Sequence, residues 1–410
     1  MNTETILFLL IALIISGFLF SQMLEYLNLK NQKIILPDSL RDWYSDEQYE
    51  KSQNYQKAHW KFGLFSGLFH TILTLTLILT GFYGWLDTYL SSFSGYSIWV
   101  SILFFVITGA LSYLIQLPFE WYEHFVIEES YGFNKMSRTT FVSDRVKGLI
   151  LSAVIGLPLI WTFLILVNKI GADFWIWFGL IATAFMLFMN LFYTSLLLPL
   201  FNKLTPLPEG ALKTALLDYA EKVNFPVKNI LVMDGSKRSS KANAFFSGIG
   251  KQKKIVLFDT LIEKHSTGEL VAILAHEVGH YKKRHIILGL FSSILQIFFV
   301  LWVLSQFIGM KELSFALGGS RQTIHLNLLS FGILFSPVSG LAGMLSMMIS
   351  RLHEFQADAY AKATSDAKDL ISGLKKLSVD NLSNLTPHPL YVFFHYSHPP
   401  VLQRIKRLLY

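Results

Sequence analysis

The sequence contains no cysteine. Disulfides, thiolate metal sites and cysteine nucleophiles are therefore excluded. Charge is scarce as well: 15% of the 410 residues are Asp, Glu, Lys or Arg, against roughly 25% in an ordinary soluble domain. Apolar residues take their place, at 52% of the chain with 35 phenylalanines. A soluble fold has too little polar surface to cover so much apolar area. A bilayer accepts it as helices of about 20 apolar residues. The sequence shows no internal repeat and no low-complexity segment.

Seven stretches read as membrane-spanning helices, near 5–24, 62–86, 97–117, 148–168, 174–200, 286–309 and 327–350. The first has Glu4 ahead of it, no basic flank and no small-residue cleavage site after it. That predicts an anchor rather than a signal peptide. Lys and Arg are distributed asymmetrically: six in 25–61, four in 118–147, fourteen in 201–285 and eight from Arg351 onward. The opposite side has only Lys169, Lys311 and Arg321. The positive-inside rule then puts the N-terminus outside and the C-terminus in the cytoplasm. This topology accounts for the net charge of +7 without a nucleic-acid partner.

The expected fold is mostly α and polytopic, with seven transmembrane helices and a small cytoplasmic α+β insert. Four regions follow: five spans in 1–200, a cytoplasmic insert in 201–285, spans six and seven in 286–350, and a cytoplasmic segment in 351–410. Within the insert, 210–222 has helical spacing, Ile230–Met233 and Lys254–Phe258 read as strands, and Ala242–Phe246 suggests a third. A further helix begins near Thr267, with Glu269 in its first turn.

That helix carries His276-Glu-Val-Gly-His280. Histidines at i and i+4 lie on one helical face, about one turn apart, so both imidazoles can reach one ion. Glu277 between them is placed to take a proton from an activated water. The expected cofactor is one Zn²⁺, held by His276, His280 and a third ligand downstream. Glu354 is the candidate, with Asp358 one turn further along the same face as its supporting acid. His353 is the competitor. It sits about 100° around the helix from Glu354, so only one of the two can face the metal. His280 and Glu354 both lie within ~10 Å of a span boundary, so both ligand helices are expected to continue into membrane helices.

At these residues the chain resembles the type I CAAX prenyl endopeptidases, polytopic zinc proteases. The matching blocks are Ile127-Glu-Glu-Ser-Tyr-Gly-Phe-Asn-Lys135, Ser240-Lys-Ala-Asn-Ala-Phe-Phe-Ser-Gly248, His276–His280, Glu354-Phe-Gln-Ala-Asp358 and His395-Tyr-Ser-His-Pro-Pro400. The resemblance implies seven helices around a chamber, a zincin-like protease domain and cleavage near the C-terminus of prenylated CAAX peptides. It carries Glu354 over as third ligand, Asn243 and His398 as groups holding substrate or transition state, and Arg404 as partner of Asp358. Expected partners are membrane lipid and a peptide or protein substrate. Arg407-Leu-Leu-Tyr410 has no dilysine signal, which favours a bacterial inner membrane over the endoplasmic reticulum.

Two other functions compete. One is a quality-control protease with no prenyl requirement. The other is a transporter or receptor with a structural metal, which would need a fourth protein ligand and no Glu277. The remaining polar groups have plainer expectations. His70, inside a span, reads as a hydrogen-bonded packing residue. Glu120, Glu123, His124, Glu128 and Glu129 read as structural, because their spacing enforces no ligand geometry. Lys282–His285 reads as a group snorkelling at the membrane face. His388 and His395 have no assigned role.

Overall fold

The computed structural model describes residues 2–33, 36, 41–94, 97–247 and 253–410. Helix α1 (Thr3–Lys30) starts where the Asn2 side chain accepts a hydrogen bond from the Thr5 amide. Helix α2 (Asp46–Leu79) starts at a Ser45/Gln48 capping box, far ahead of the apolar run expected from residue 62. Its first turns are polar, so hydropathy could not reveal them. The chain turns at Gly81, with φ 67°, and α3 (Phe82–Ser94) leads away. The expected span 62–86 is therefore interrupted near its end. Helix α4 (Ile98–Tyr122) widens into a π-helical turn at Glu123–Glu128.

Helix α5 (Arg138–Ile170) stops at Gly171, whose φ of 67° an L side chain rarely adopts. The chain reverses there into α6 (Phe174–Phe192), a π-helical turn and α7 (Leu198–Phe201). Phe163 packs edge-on against both Phe174 and Phe178. Lys147 Nζ donates to the Leu200 carbonyl at 2.9 Å, 53 residues away. Both contacts require α5 and α6 to lie antiparallel.

The chain then forms a small mixed sheet of β1 (Leu204–Pro206), β2 (Val227–Met233), β3 (Ala244–Ser247) and β4 (Lys253–Phe258), in the order β1-β2-β4-β3. The β2/β4 pair is parallel and the outer pairs are antiparallel, leaving β3 at an edge. Helix α8 (Ala211–Lys222) lies between β1 and β2 in sequence, and α9 (Asp259–Lys264) and α10 (Thr267–Lys282) follow β4. One core, including Leu216, Tyr219, Ile255, Leu257, Leu274 and Val278, joins sheet and helices.

Helix α11 (His285–Phe307) matches the sixth expected span closely. Helix α12 (Lys311–Ala316) is short. The seventh expected span is two helices, α13 (Ile324–Leu334) and α14 (Ser336–Thr364), bent by 52° at a break. Pro337 in the first turn of α14 lacks an amide donor, which suits a helix start. Helix α14 runs through residues 350–351 unbroken. It is followed by α15 (Ala367–Asp380), α16 (Pro389–His395) and α17 (Val401–Leu409).

Among the described residues, five helical stretches are long and apolar enough to cross a membrane, or six if the bent pair counts as one crossing. This count is lower than the expected seven. One of the five is the 64-residue stretch Arg138–Phe201, which the α5–α6 reversal folds back on itself. The outward faces carry exposed Phe65, Val154, Trp177, Ile287 and Phe291, as lipid-facing helices require.

Candidate metal centre

A capping box starts α10: Ser266 Oγ accepts from the Glu269 amide, and Glu269 Oε2 accepts from the Ser266 amide. Glu269 also receives Ser372 and Lys376 of α15, which fixes the rotation of α10. One turn before its end, α10 meets α14. A Cβ added at Gly279 would lie 2.9 Å from the Ala357 Cα, so the contact needs glycine at that position.

This close approach brings His276, His280 and Glu354 together. Nε2 of the two histidines are 3.2 Å apart. Glu354 Oε1 lies 3.1 Å from His280 Nε2, and Oε2 lies 3.3 Å from His276 Nε2. Bonds of about 2.0–2.2 Å around a tetrahedral ion place ligand atoms roughly 3.3–3.6 Å apart. Glu354 is 3% exposed, and its Oε2 has no hydrogen-bond donor. Such a cluster of acceptors is repulsive unless a proton or cation sits among them, so the donor set fits a metal. Among the described residues it is the one group of three or more His, Asp or Glu so arranged.

Support lies behind the cluster. Asp358 Oδ1 accepts from His276 Nδ1 at 2.8 Å and from Arg404 at 2.6 Å, while Oδ2 accepts from Arg404 Nε at 2.8 Å. Asp358 and Arg404 are both buried. Burial opposes charge on His276, but its bonds to Asp358 and Glu354 outweigh that and hold its pKa at about 9 without metal. Burial raises the Glu277 carboxyl, opposed by the two flanking histidines. His398 Nε2 comes within 3.4 Å of Glu354 Oε1, with its side chain largely exposed. Arg351, one turn before Glu354, donates to the carbonyls of Val392, Phe393 and Tyr396, which holds the segment leading to His398.

Asn243 is exposed just before β3, and its Oδ1 accepts from the adjacent Ala244 amide. Other expectations need correction. The ligand helices differ: α14 continues from the bent membrane pair, whereas α10 stops at Lys282 and left-handed Arg284, φ 60°, separates it from α11. That turn buries His285 against His280 instead of leaving it to snorkel, with their Nδ1 atoms 3.1 Å apart. No sequence spacing announces this contact. His353 stacks on the ring of His285 at 3.8 Å, and its nitrogens are not among the converging atoms.

The two blocks around Glu128 and Lys241 meet. Glu128 receives Tyr55, His59 and Lys241, and Glu120 pairs with Arg145. His70 Nε2 has no hydrogen-bond partner and lines a cavity of about 970 Å³ with Gln22, Glu25 and Tyr391. It packs on Phe119 as expected of a packing residue, but Nε2 lacks the expected hydrogen bond. His388 caps α16, and His395 packs on Tyr391.

Residues 25–203 match the family model described as CAAX prenyl protease N-terminal, five membrane helices, and residues 206–410 match peptidase family M48. CAAX prenyl protease 1 of Saccharomyces cerevisiae is 34% identical over 97% of this chain and 95% of its own length. The human CAAX prenyl protease 1 homolog is 35% identical over 91% and 88%. The crystal structure of S. mikatae Ste24p superposes with a TM-score of 0.93 at 33% identity, covering 99% of each chain. With both halves matched and the fold shared end to end, the chain belongs to peptidase family M48 and is a multi-pass membrane metalloendopeptidase of the CAAX prenyl protease type.

Proposed function

We propose that the protein is a zinc endopeptidase that cleaves membrane-associated substrates, with prenylated CAAX-type peptides as the favoured class. The convergence of His276, His280 and Glu354 beside Glu277 carries this reading. Zinc held by the three would supply Lewis acidity, lowering the pKa of water and polarising a carbonyl. Glu277 accepts the proton of the attacking water and returns it to the leaving amine. Asp358 accepts the Nδ1 proton of His276 and so leaves Nε2 free to ligate, while Arg404 balances the Asp358 charge. His398 stands on the open side as donor to a developing oxyanion. An extended peptide pairs with the edge strand β3, where Asn243 meets its backbone.

Seven crossings around a chamber remain the proposed architecture. In support, the five apolar helical stretches become seven crossings if the α5–α6 reversal counts as two and the bent α13–α14 pair as one more. The cavity beside His70 would be part of that chamber. The cytoplasmic C-terminus rests on the Lys and Arg distribution alone. The relatives named above include yeast and human proteins, which lend no support to a bacterial inner membrane.

The test is cleavage of matched peptides with and without a farnesyl group by purified protein in detergent, with Glu277→Gln as control. Preference for the farnesylated peptide is expected. Equal cleavage of both would refute the prenyl reading, and activity surviving in Glu277→Gln would refute the mechanism.

A further inference from the structure

The two candidate metal histidines are oriented by different chemistry. His276 leans on a carboxylate, Asp358, which can only accept. His280 leans on another imidazole: its Nδ1 lies 3.1 Å from His285 Nδ1, and His285 Nε2 lies 2.9 Å from Gln356 Oε1. A neutral imidazole has one N–H and one lone pair, so the protons along this chain can point in only two ways. To ligate, His280 must present a lone pair at Nε2, toward Glu354 and His276. Its proton then sits on Nδ1 and is donated to His285 Nδ1. His285 in turn carries its proton on Nε2 and donates it to Gln356 Oε1. The opposite direction would put a proton on His280 Nε2 and block the metal.

We infer that His285 is a positioning residue that fixes the metal-binding tautomer of His280 through a neutral relay ending at Gln356. The inference rests on the metal-centre reading given above. Three observations favour it over simple packing. His285 is 6% exposed, yet both its ring nitrogens have partners. Its ring lies flat on His353, planes 7° apart, which fixes the direction of the nitrogens. The backbone enters by a left-handed Arg284, a conformation costly for a residue with a side chain. A neutral relay also adds no negative charge. Arg404 already bridges the two acids behind the cluster, bonding Asp358 and lying 3.5 Å from Glu354 Oε2, so no cation is left over there to balance a further anion. Supporting groups that raise ligand basicity reduce the acidity of the ion, so a neutral acceptor on one histidine preserves it.

Two substitutions separate relay from packing because they rank oppositely. His285→Phe keeps the ring and removes the acceptor. His285→Asn loses the ring and keeps an acceptor near the Nδ1 position. The measurement is the zinc dissociation constant of the purified full-length protein, by chelator competition, with circular dichroism as the folding check. The relay expects His285→Phe to weaken zinc ~10–100-fold, with His285→Asn much closer to wild type. Gln356→Met, at the exposed end of the relay, should weaken it a few-fold. Zinc held normally by His285→Phe and weakly by His285→Asn would overturn the relay in favour of packing. If either variant fails to fold, Gln356→Met decides, and unchanged affinity there overturns the relay. His276→Ala isolates the underlying reading: zinc retained in that variant refutes the metal centre, whereas zinc lost there but normal in His285→Phe refutes the relay alone.

Discussion

Removing the charge of Asp358 tests how much the metal centre owes to the α14–α17 contact. Asp358 is 2% exposed and accepts three hydrogen bonds, one from His276 and two from Arg404. Asp358→Asn keeps the size but turns one oxygen into a donor that faces a donor. Arg404, 8% exposed, then loses both charge-paired hydrogen bonds to Asp358 and keeps only the longer 3.5 Å contact with Glu354. Breaking one side of such a pair costs ~3–5 kcal/mol. Arg404→Met should cost a similar amount, because it leaves the Asp358 carboxylate with His276 as its one donor. Replacing both removes the stranded charge, since apolar or neutral groups of similar volume are often tolerated in place of a buried pair. The double variant is therefore expected to be little worse than either single one. That is a coupling of ~3 kcal/mol, or about two powers of ten in an equilibrium constant. The assay is a double-mutant cycle on zinc affinity and on resistance to denaturant in detergent. The two readouts divide the cost between the His276 tautomer and the docking of α17. Additive effects within about 0.5 kcal/mol would refute the argument, because distant, independent sites behave that way.

Glu277→Gln should lower kcat at least ~10²-fold with zinc content unchanged, checked by single-turnover cleavage and elemental analysis. Glu354→Ala should lose zinc whereas His353→Ala should retain it; metal analysis showing the reverse would mean that the ligand is the neighbouring residue. Gly279→Ala should destabilise by ~1–3 kcal/mol, because the added methyl meets α14 backbone, and a normal thermal midpoint would contradict the close packing. Metal-free His276 has its pKa held at about 9, and a ligating imidazole must be neutral. Apparent zinc affinity should therefore rise with pH by about tenfold per unit below that value, read by chelator competition between pH 6 and 8.

The centre was legible where local geometry is helical. The i, i+4 spacing of His276 and His280 and the 100° between His353 and Glu354 need only the pitch of a helix, and the structure places these residues accordingly. His285 was illegible for the same reason: a left-handed Arg284 ends the helical spacing before reaching it. The Arg351 contacts join residues about 40 apart through carbonyls, which no side-chain pattern records. Hydropathy located α11 but not the polar start of α2, since a helix outside the bilayer has no apolar requirement. It saw one span at 327–350 because it averages over the bend before α14. The strand β1 has three residues, too few for alternation to register.

Helix α14 begins among apolar residues at Ser336, continues without a break, and presents His353, Glu354, Gln356 and Asp358 within six residues. At about 1.5 Å per residue the arm from Ser336 to Glu354 is roughly 27 Å long. A rigid lever of that length swings its tip by about half an ångström for each degree of tilt. Membrane helices change tilt with bilayer thickness, so the metal centre is mechanically joined to the lipid around it. Zinc affinity in bilayers of graded acyl-chain length should vary, tightest where the natural tilt is preserved.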